Sequence, residues 1–176
     1  MHLADLPSPA LLVDRTRLDA NLDAMQAQAE AQGVALRPHV KTHKSVEIAL
    51  RQRERGAVGL TVATVGEAEV FARFGFNDLC IAKPLVGRDN LARVAKLLAG
   101  KTRVTFCVDT LAGARQADAF FAEQGRTADV LLEVDTGHAR TGIRWNHPDA
   151  MSLVRALAEL PSLALVGLLT HGGQVY

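Results

Sequence analysis

Cysteine is scarce in this chain. Only Cys80 and Cys107 occur in 176 residues. Both sit inside apolar runs without metal-type spacing, which argues against a disulfide framework or a zinc knuckle and for buried, reduced thiols. Charge of one sign is also lacking. A formal net charge of +1 gives no reason to expect nucleic acid or an acidic surface as partner. No stretch approaches the roughly 18 apolar residues of a membrane helix, so no membrane partner is expected. The opening residues, Met1-His2-Leu3-Ala4-Asp5, lack the basic segment and apolar core of a signal peptide. Cytoplasm is the expected location. Nor does a G-x-G-x-x-G element follow the first apolar run, which counts against a dinucleotide-binding, doubly wound sheet.

What is present is a repeating alternation. Apolar residues make up 48% of the chain and charged ones 22%, ordinary values for a globular domain with a sizeable core. Short runs rich in Val, Leu and Ile at 34–40, 58–63, 78–82, 103–108, 130–134 and 163–169 predict strands. Amphipathic stretches at 15–32, 45–55, 66–74, 87–98, 110–123 and 148–160 predict helices. Asp14, Ser45 and Thr110 stand where N-caps belong, and Gly33, Gly56 and Gly125 stand just past helix ends. Strands alternating with helices imply parallel pairing, and near-continuous apolar strands imply that both sheet faces are covered. The expected fold is an α/β barrel of the TIM (β/α)8 type, with about six of eight βα units present. The whole of 1–176 is then one partial barrel domain that stops just beyond a strand.

In such a barrel, chemistry gathers at the C-terminal ends of the strands. The first ends in Arg37-Pro38-His39-Val40-Lys41-Thr42-His43-Lys44. Period-2 alternation would put Arg37, His39, Lys41 and His43 in line on one face. Four basic groups on a core strand call for an anion or for a lysine nucleophile, desolvated among cations so that its amine is neutral. The second strand ends at Thr64 with Glu67 following, although an acid at a helix start also serves the helix dipole. The third ends in Lys83-Pro84 and the fourth in Asp109. The fifth ends in Glu133-Val134-Asp135-Thr136-Gly137-His138-Ala139-Arg140-Thr141-Gly142, two acids and an arginine around two glycines. The sixth ends in Thr170-His171-Gly172-Gly173-Gln174-Val175-Tyr176, where Gly-Gly allows close approach to the backbone. A metal-dependent barrel hydrolase using His39 and His43 stays open on these residues, although the spacing is H-x-x-x-H rather than H-x-H.

Taken in order, these strand ends resemble the fold-type III pyridoxal 5′-phosphate (PLP) enzymes, the group of alanine racemase, and within it the D-threonine aldolase and D-serine dehydratase branch. The resemblance spans essentially the whole chain, from Pro7-Ser8-Pro9-Ala10-Leu11-Leu12-Val13-Asp14 to Tyr176. Its most specific stretch is 37–44, and Thr64-Val65-Gly66-Glu67-Ala68-Glu69 also belongs to it. The resemblance implies that Lys41 forms the Schiff base with PLP, with Lys44 the rival amine. It implies that Arg140 lies near the phenolic oxygen of the cofactor, His171 against its ring face and Tyr176 close by. His39 and Thr64 are counted with the same cofactor site. A C-terminal β domain is expected outside this chain, along with the phosphate cradle and a His-x-Cys metal pair. No metal ligand is expected within 1–176, and a divalent zinc or manganese ion would be held elsewhere. The implied function is a PLP-dependent lyase acting on small D-β-hydroxy amino acids, aldolase or dehydratase, working as a homodimer. An amino-acid racemase and a non-catalytic PLP homeostasis protein are the alternatives.

Overall fold

A computed structural model describes residue 2 and residues 5–175. Helices α1 (Arg15–Ala31), α2 (Val46–Glu54), α3 (Val65–Arg73), α4 (Arg88–Ala99), α5 (Leu111–Glu123) and α6 (Ala150–Ala158) alternate with strands. The strands are β1 (Leu60–Val62), β2 (Asp78–Pro84), β3 (Arg103–Val108), β4 (Ala128–Asp135), β5 (Ile143–Arg144) and β6 (Leu163–Leu169). All pair in parallel. β1 to β4 run side by side, β6 follows on the far edge of β4, and β5 extends the end of β4. The expected alternation of strand and helix is observed.

The helix ends follow from their caps. Asp14, Ser45, Thr64 and Thr110 each accept a hydrogen bond from the backbone N–H three residues on, that is from Arg17, Ile48, Glu67 and Gly113. Each satisfies a donor that the first helical turn leaves open. Gly33, Gly56 and Gly125 adopt positive φ just beyond α1, α2 and α5.

One contact settles which way the sheet faces. Phe106 stacks on Phe121 of α5 with ring centroids 6.1 Å apart. Register places Ile81 and Val130 beside Phe106, so that face packs on the helices. Leu79, Val104 and Leu132 share it with Phe71, Leu91, Ala114 and Ala117 of the helices in one buried core. The alternate residues, Thr61, Cys80, Thr105 and Asp129 in one row, then Cys107, Leu131, Glu133 and Asp135, lie on the inner side. Both cysteines are buried and free, as expected. Burial pushes both thiols above their ordinary range, Cys107 with help from Cys80 and the carboxylate of Glu133.

The segment 34–40 corrects the sequence expectation. It runs extended but earns only one bridge, His39 to Thr61. Pro38 has no N–H to give a ladder, and from Val40 to Thr42 the chain turns into a short 3-10 segment. Two carbonyls still reach β1 and its approach, Leu36 O to Val58 N–H and Pro38 O to Thr61 N–H.

At the N-terminal end of the inner side, Arg37 pairs with Asp78 through two contacts, Nη1 to Oδ1 and Nη2 to Oδ2 at 3.2 Å. Arg103 continues the row, 3.9 Å from Asp78 and 3.4 Å from Asp129. Four alternating charges thus cross neighbouring segments. The Arg37 guanidinium passes directly over Gly59, where any Cβ would collide with it at 2.5 Å.

Candidate active site

The C-terminal ends of the strands hold the remaining polar groups. His39 begins the short 3-10 turn, and its Nδ1 accepts the backbone N–H of Lys41 at 3.3 Å. That bond fixes the turn carrying Lys41. The Lys41 side chain is exposed rather than desolvated. His39 lies on the inner side beside Thr61, and its imidazole is depressed below the ordinary histidine range, first by burial and then by the Lys41 ammonium. Glu67 and a hydrogen bond to the Thr61 backbone oppose that shift.

The in-line row of four cations does not form. A 3-10 turn rotates each residue by about a third of a circle, not half, so alternation fails beyond Val40. Arg37 lies at the opposite end, with Asp78. His43 turns back on its own loop: its Nδ1 accepts the Ser45 N–H at 3.0 Å, and it faces Gln52 of α2. Among the described residues no three His, Cys, Asp or Glu side chains could hold a metal ion. His39 and His43 of the H-x-x-x-H pair are turned to different neighbours, His39 to the Lys41 turn and His43 to its own loop.

Lys44 adopts a positive φ of 49° and places its Nζ 3.1 Å from Glu67 Oε1. Glu67 Oε2 accepts the Ala63 N–H at 2.7 Å. Burial would raise the Glu67 pKa, but that N–H and the Lys44 ammonium outweigh it and hold it low. Lys44 is thus engaged by a carboxylate, whereas Lys41 is not tied to one in this way. Thr64 spends its hydroxyl capping α3.

The 136–142 loop and the tail after β6 form the other wall. Asp135 Oδ1 accepts the N–H groups of Gly137 and Ala139, at 2.9 and 3.0 Å, which hold its carboxylate below the usual range. Thr136 and Thr170 share a hydrogen bond of 2.8 Å, and Gln174 Nε2 donates to Thr136 Oγ1 at 3.2 Å. His138 and His171 meet edge to face with centroids 5.1 Å apart, and His138 packs over Gly173 so closely that a Cβ there would clash. The His171 imidazole is held below its ordinary range by burial and then by Arg140, His138 and Lys41, with Glu133 opposing. The charge of Lys41 therefore reaches both His39 and His171, and that of Arg140 reaches His171. Tyr176 lies outside the described residues.

Sequence reasoning did not single out His138, because nothing in the sequence marks a loop histidine as a ring partner. It named Glu133 among the acids of the 133–142 stretch but not its burial, and that side chain is 2% exposed. A cavity of about 110 Å³ lined by Leu22, Met25, Leu36, Pro38 and Gln52 lies between α1, α2 and segment 34–40, and no mouth residue lines it.

The fold is shared with known proteins. The chain is 38% identical to D-threonine aldolase of an Arthrobacter species, over 98% of this chain and 45% of that protein. It is 36% identical to D-threo-3-hydroxyaspartate dehydratase of a Delftia species, over 99% and 46%. The solved structure of the Delftia dehydratase superposes with a TM-score of 0.91 at 37% identity, covering 97% of this chain and 45% of that one. A variant of that dehydratase solved in the metal-free form superposes at 0.88. The chain spans less than half the length of these relatives. Residues 13–175 match the family model described as alanine racemase, N-terminal domain, and the chain belongs to that family.

Proposed function

We propose that this chain is the barrel part of a PLP-dependent lyase acting on D-β-hydroxy amino acids, with Lys41 as the residue that holds the cofactor. One observation carries the assignment within the mouth: the Lys44 amine is engaged by Glu67, while the Lys41 amine stands exposed among His39, His171 and Arg140. The names of the aldolase and dehydratase relatives support the substrate class.

The residues fit the cofactor. A primary amine is available to take an aldehyde carbon, the Arg140 guanidinium suits an anionic oxygen, and Gly172-Gly173 leaves room beside the backbone. When bound, PLP supplies an electron sink for negative charge at the substrate Cα. The chain's own part is binding and orientation. The His39 Nδ1 contact fixes the Lys41 turn, and Arg140 supplies positive charge. His39 and His171, held below their ordinary range, stay neutral near pH 7 and add no positive charge of their own. Tyr176 and Thr64 are proposed to complete the cofactor site. A divalent metal, zinc or manganese, is proposed to be held by a C-terminal β domain outside this chain; the relative solved in a metal-free form supports a metal in this group. No helix among the described residues is long and apolar enough to cross a membrane. A cytoplasmic homodimer is the proposed setting.

The test is borohydride trapping of the intact protein with PLP, followed by peptide mapping, then incubation with D-threonine and D-threo-3-hydroxyaspartate. A pyridoxyl adduct on Lys41 is expected, with release of an aldehyde or of ammonia distinguishing aldolase from dehydratase. An adduct on Lys44 would move the assignment. No adduct on folded protein would sink the PLP reading.

A further inference from the structure

Glu133 stands on the inner side of β4 and is 98% buried, being 2% exposed. A carboxylate in that place is costly unless it is paired, and packing alone would favour leucine. Its Oε1 accepts the Thr141 hydroxyl, while its Oε2 has no hydrogen-bond partner among the described residues. Thr141 is itself exposed, so water could satisfy its hydroxyl and the contact is not needed for that purpose. What the contact does is join the far end of the 136–142 loop to the strand from which the loop departs.

Other contacts hold the loop at both of its ends. Asp135 gathers Gly137 and Ala139 N–H, and β5 pairs with Val134 and Asp135. Gly142, at φ +92°, lies so near the strand that a Cβ would sit 2.8 Å from Glu133 O. Arg140 falls in the gap between these fastenings, one residue before Thr141. Its charge acts on His171, as do those of Lys41 and Glu133.

We propose that Glu133 is a positioning residue: through Thr141 it fixes the loop so that Arg140 is presented at the mouth beside His171 and Lys41. The proposal rests on the reading of that mouth as the PLP site. The charge matters as well as the shape, because a hydrogen bond to an ionised acceptor is stronger than one to a neutral amide.

The tether is tested by a cycle of variants in the intact protein: Glu133→Gln, Thr141→Val, Thr141→Ser and the Glu133→Gln/Thr141→Val double. The first readout is the initial rate of tryptic cleavage after Arg140, with cleavage after Arg126 as internal reference. The second is PLP affinity by absorbance titration. Loss of one hydrogen bond to a carboxylate should raise cleavage after Arg140 about fivefold and weaken PLP binding about tenfold. Thr141→Ser should restore both, and the double should be no worse than Thr141→Val alone. Additive effects in the double, or wild-type cleavage in Thr141→Val, would overturn the tether. An adduct on Lys41 with PLP affinity unchanged in Thr141→Val would overturn the positioning role alone. If wild type takes up no PLP, the site reading fails and the positioning role with it, while the cleavage cycle still decides the tether. Should Glu133→Gln not fold, the Thr141 pair carries the same comparison.

Discussion

The two ends of the sheet's inner side both carry charge, and they handle it differently. At the N-terminal end Arg37, Asp78, Arg103 and Asp129 alternate in sign across neighbouring segments. At the C-terminal end the Lys41 amine is exposed, the charges of Lys41 and Arg140 reach His171, and Glu133 lies buried with one oxygen unpartnered among the described residues. Paired charge ties strands together, whereas an exposed amine at the strand ends is placed where a ligand can use it.

Removing Lys41 should separate the ends most sharply. Lys41→Ala should lower borohydride-fixed label by about a hundredfold or more, since the amine itself is lost. Its thermal midpoint should stay close to wild type, because the side chain is exposed. A large loss of stability in Lys41→Ala would break the contrast.

The reverse outcome is expected of Arg37→Ala. Arg37 and Asp78 are 29% and 28% exposed, so the cost of leaving Asp78 alone falls below that of a fully buried pair. About 2 kcal/mol is expected by urea unfolding, with label still on Lys41. Loss of labelling at constant stability would place Arg37 in the site after all.

Ser45→Ala takes away the α2 cap just beyond the 37–44 turn. It should cost about 1 kcal/mol in the same unfolding measurement. The label should remain on Lys41.

The smallest effect concerns acid. His39 and His43 are both held below the ordinary histidine value, chiefly by burial. Between that value and their folded ones, the unfolded chain binds more protons than the folded chain. Stability is therefore full above about pH 6.5 and declines as pH falls through the window beneath it. His43→Gln should flatten part of that decline without altering the labelling pattern. An unchanged pH profile would show that His43 does not contribute.

Much of this was legible in the sequence, for local reasons. The helices were readable because Asp14, Ser45 and Thr110 each supply an acceptor to their own first turn. Strands such as Arg103–Val108 were readable because an apolar run of that length admits little else. The failures are equally physical. β5 has two residues, too few for any periodicity. Alternation was carried past Val40, where the backbone changes its turn per residue, and so His43 was set on a face it does not share. Arg37 could not be assigned from its neighbours because Asp78 lies 41 positions away. Glu133 was noticed among the polar residues after β4, but its burial comes from register and helix cover, which no local pattern states.

Gly142 carries a consequence for how the loop can change. Two penalties act there together: a backbone shape that side chains rarely accept, and atoms of Glu133 and Asp135 within 3 Å of where a Cβ would go. Substitution elsewhere between 136 and 141 alters what the loop presents. Substitution at 142 would push the loop off the strand and move everything it presents at once. In a randomised library of this segment, glycine should be kept more strictly at 142, where a Cβ meets backbone atoms, than at 137, where it meets open space.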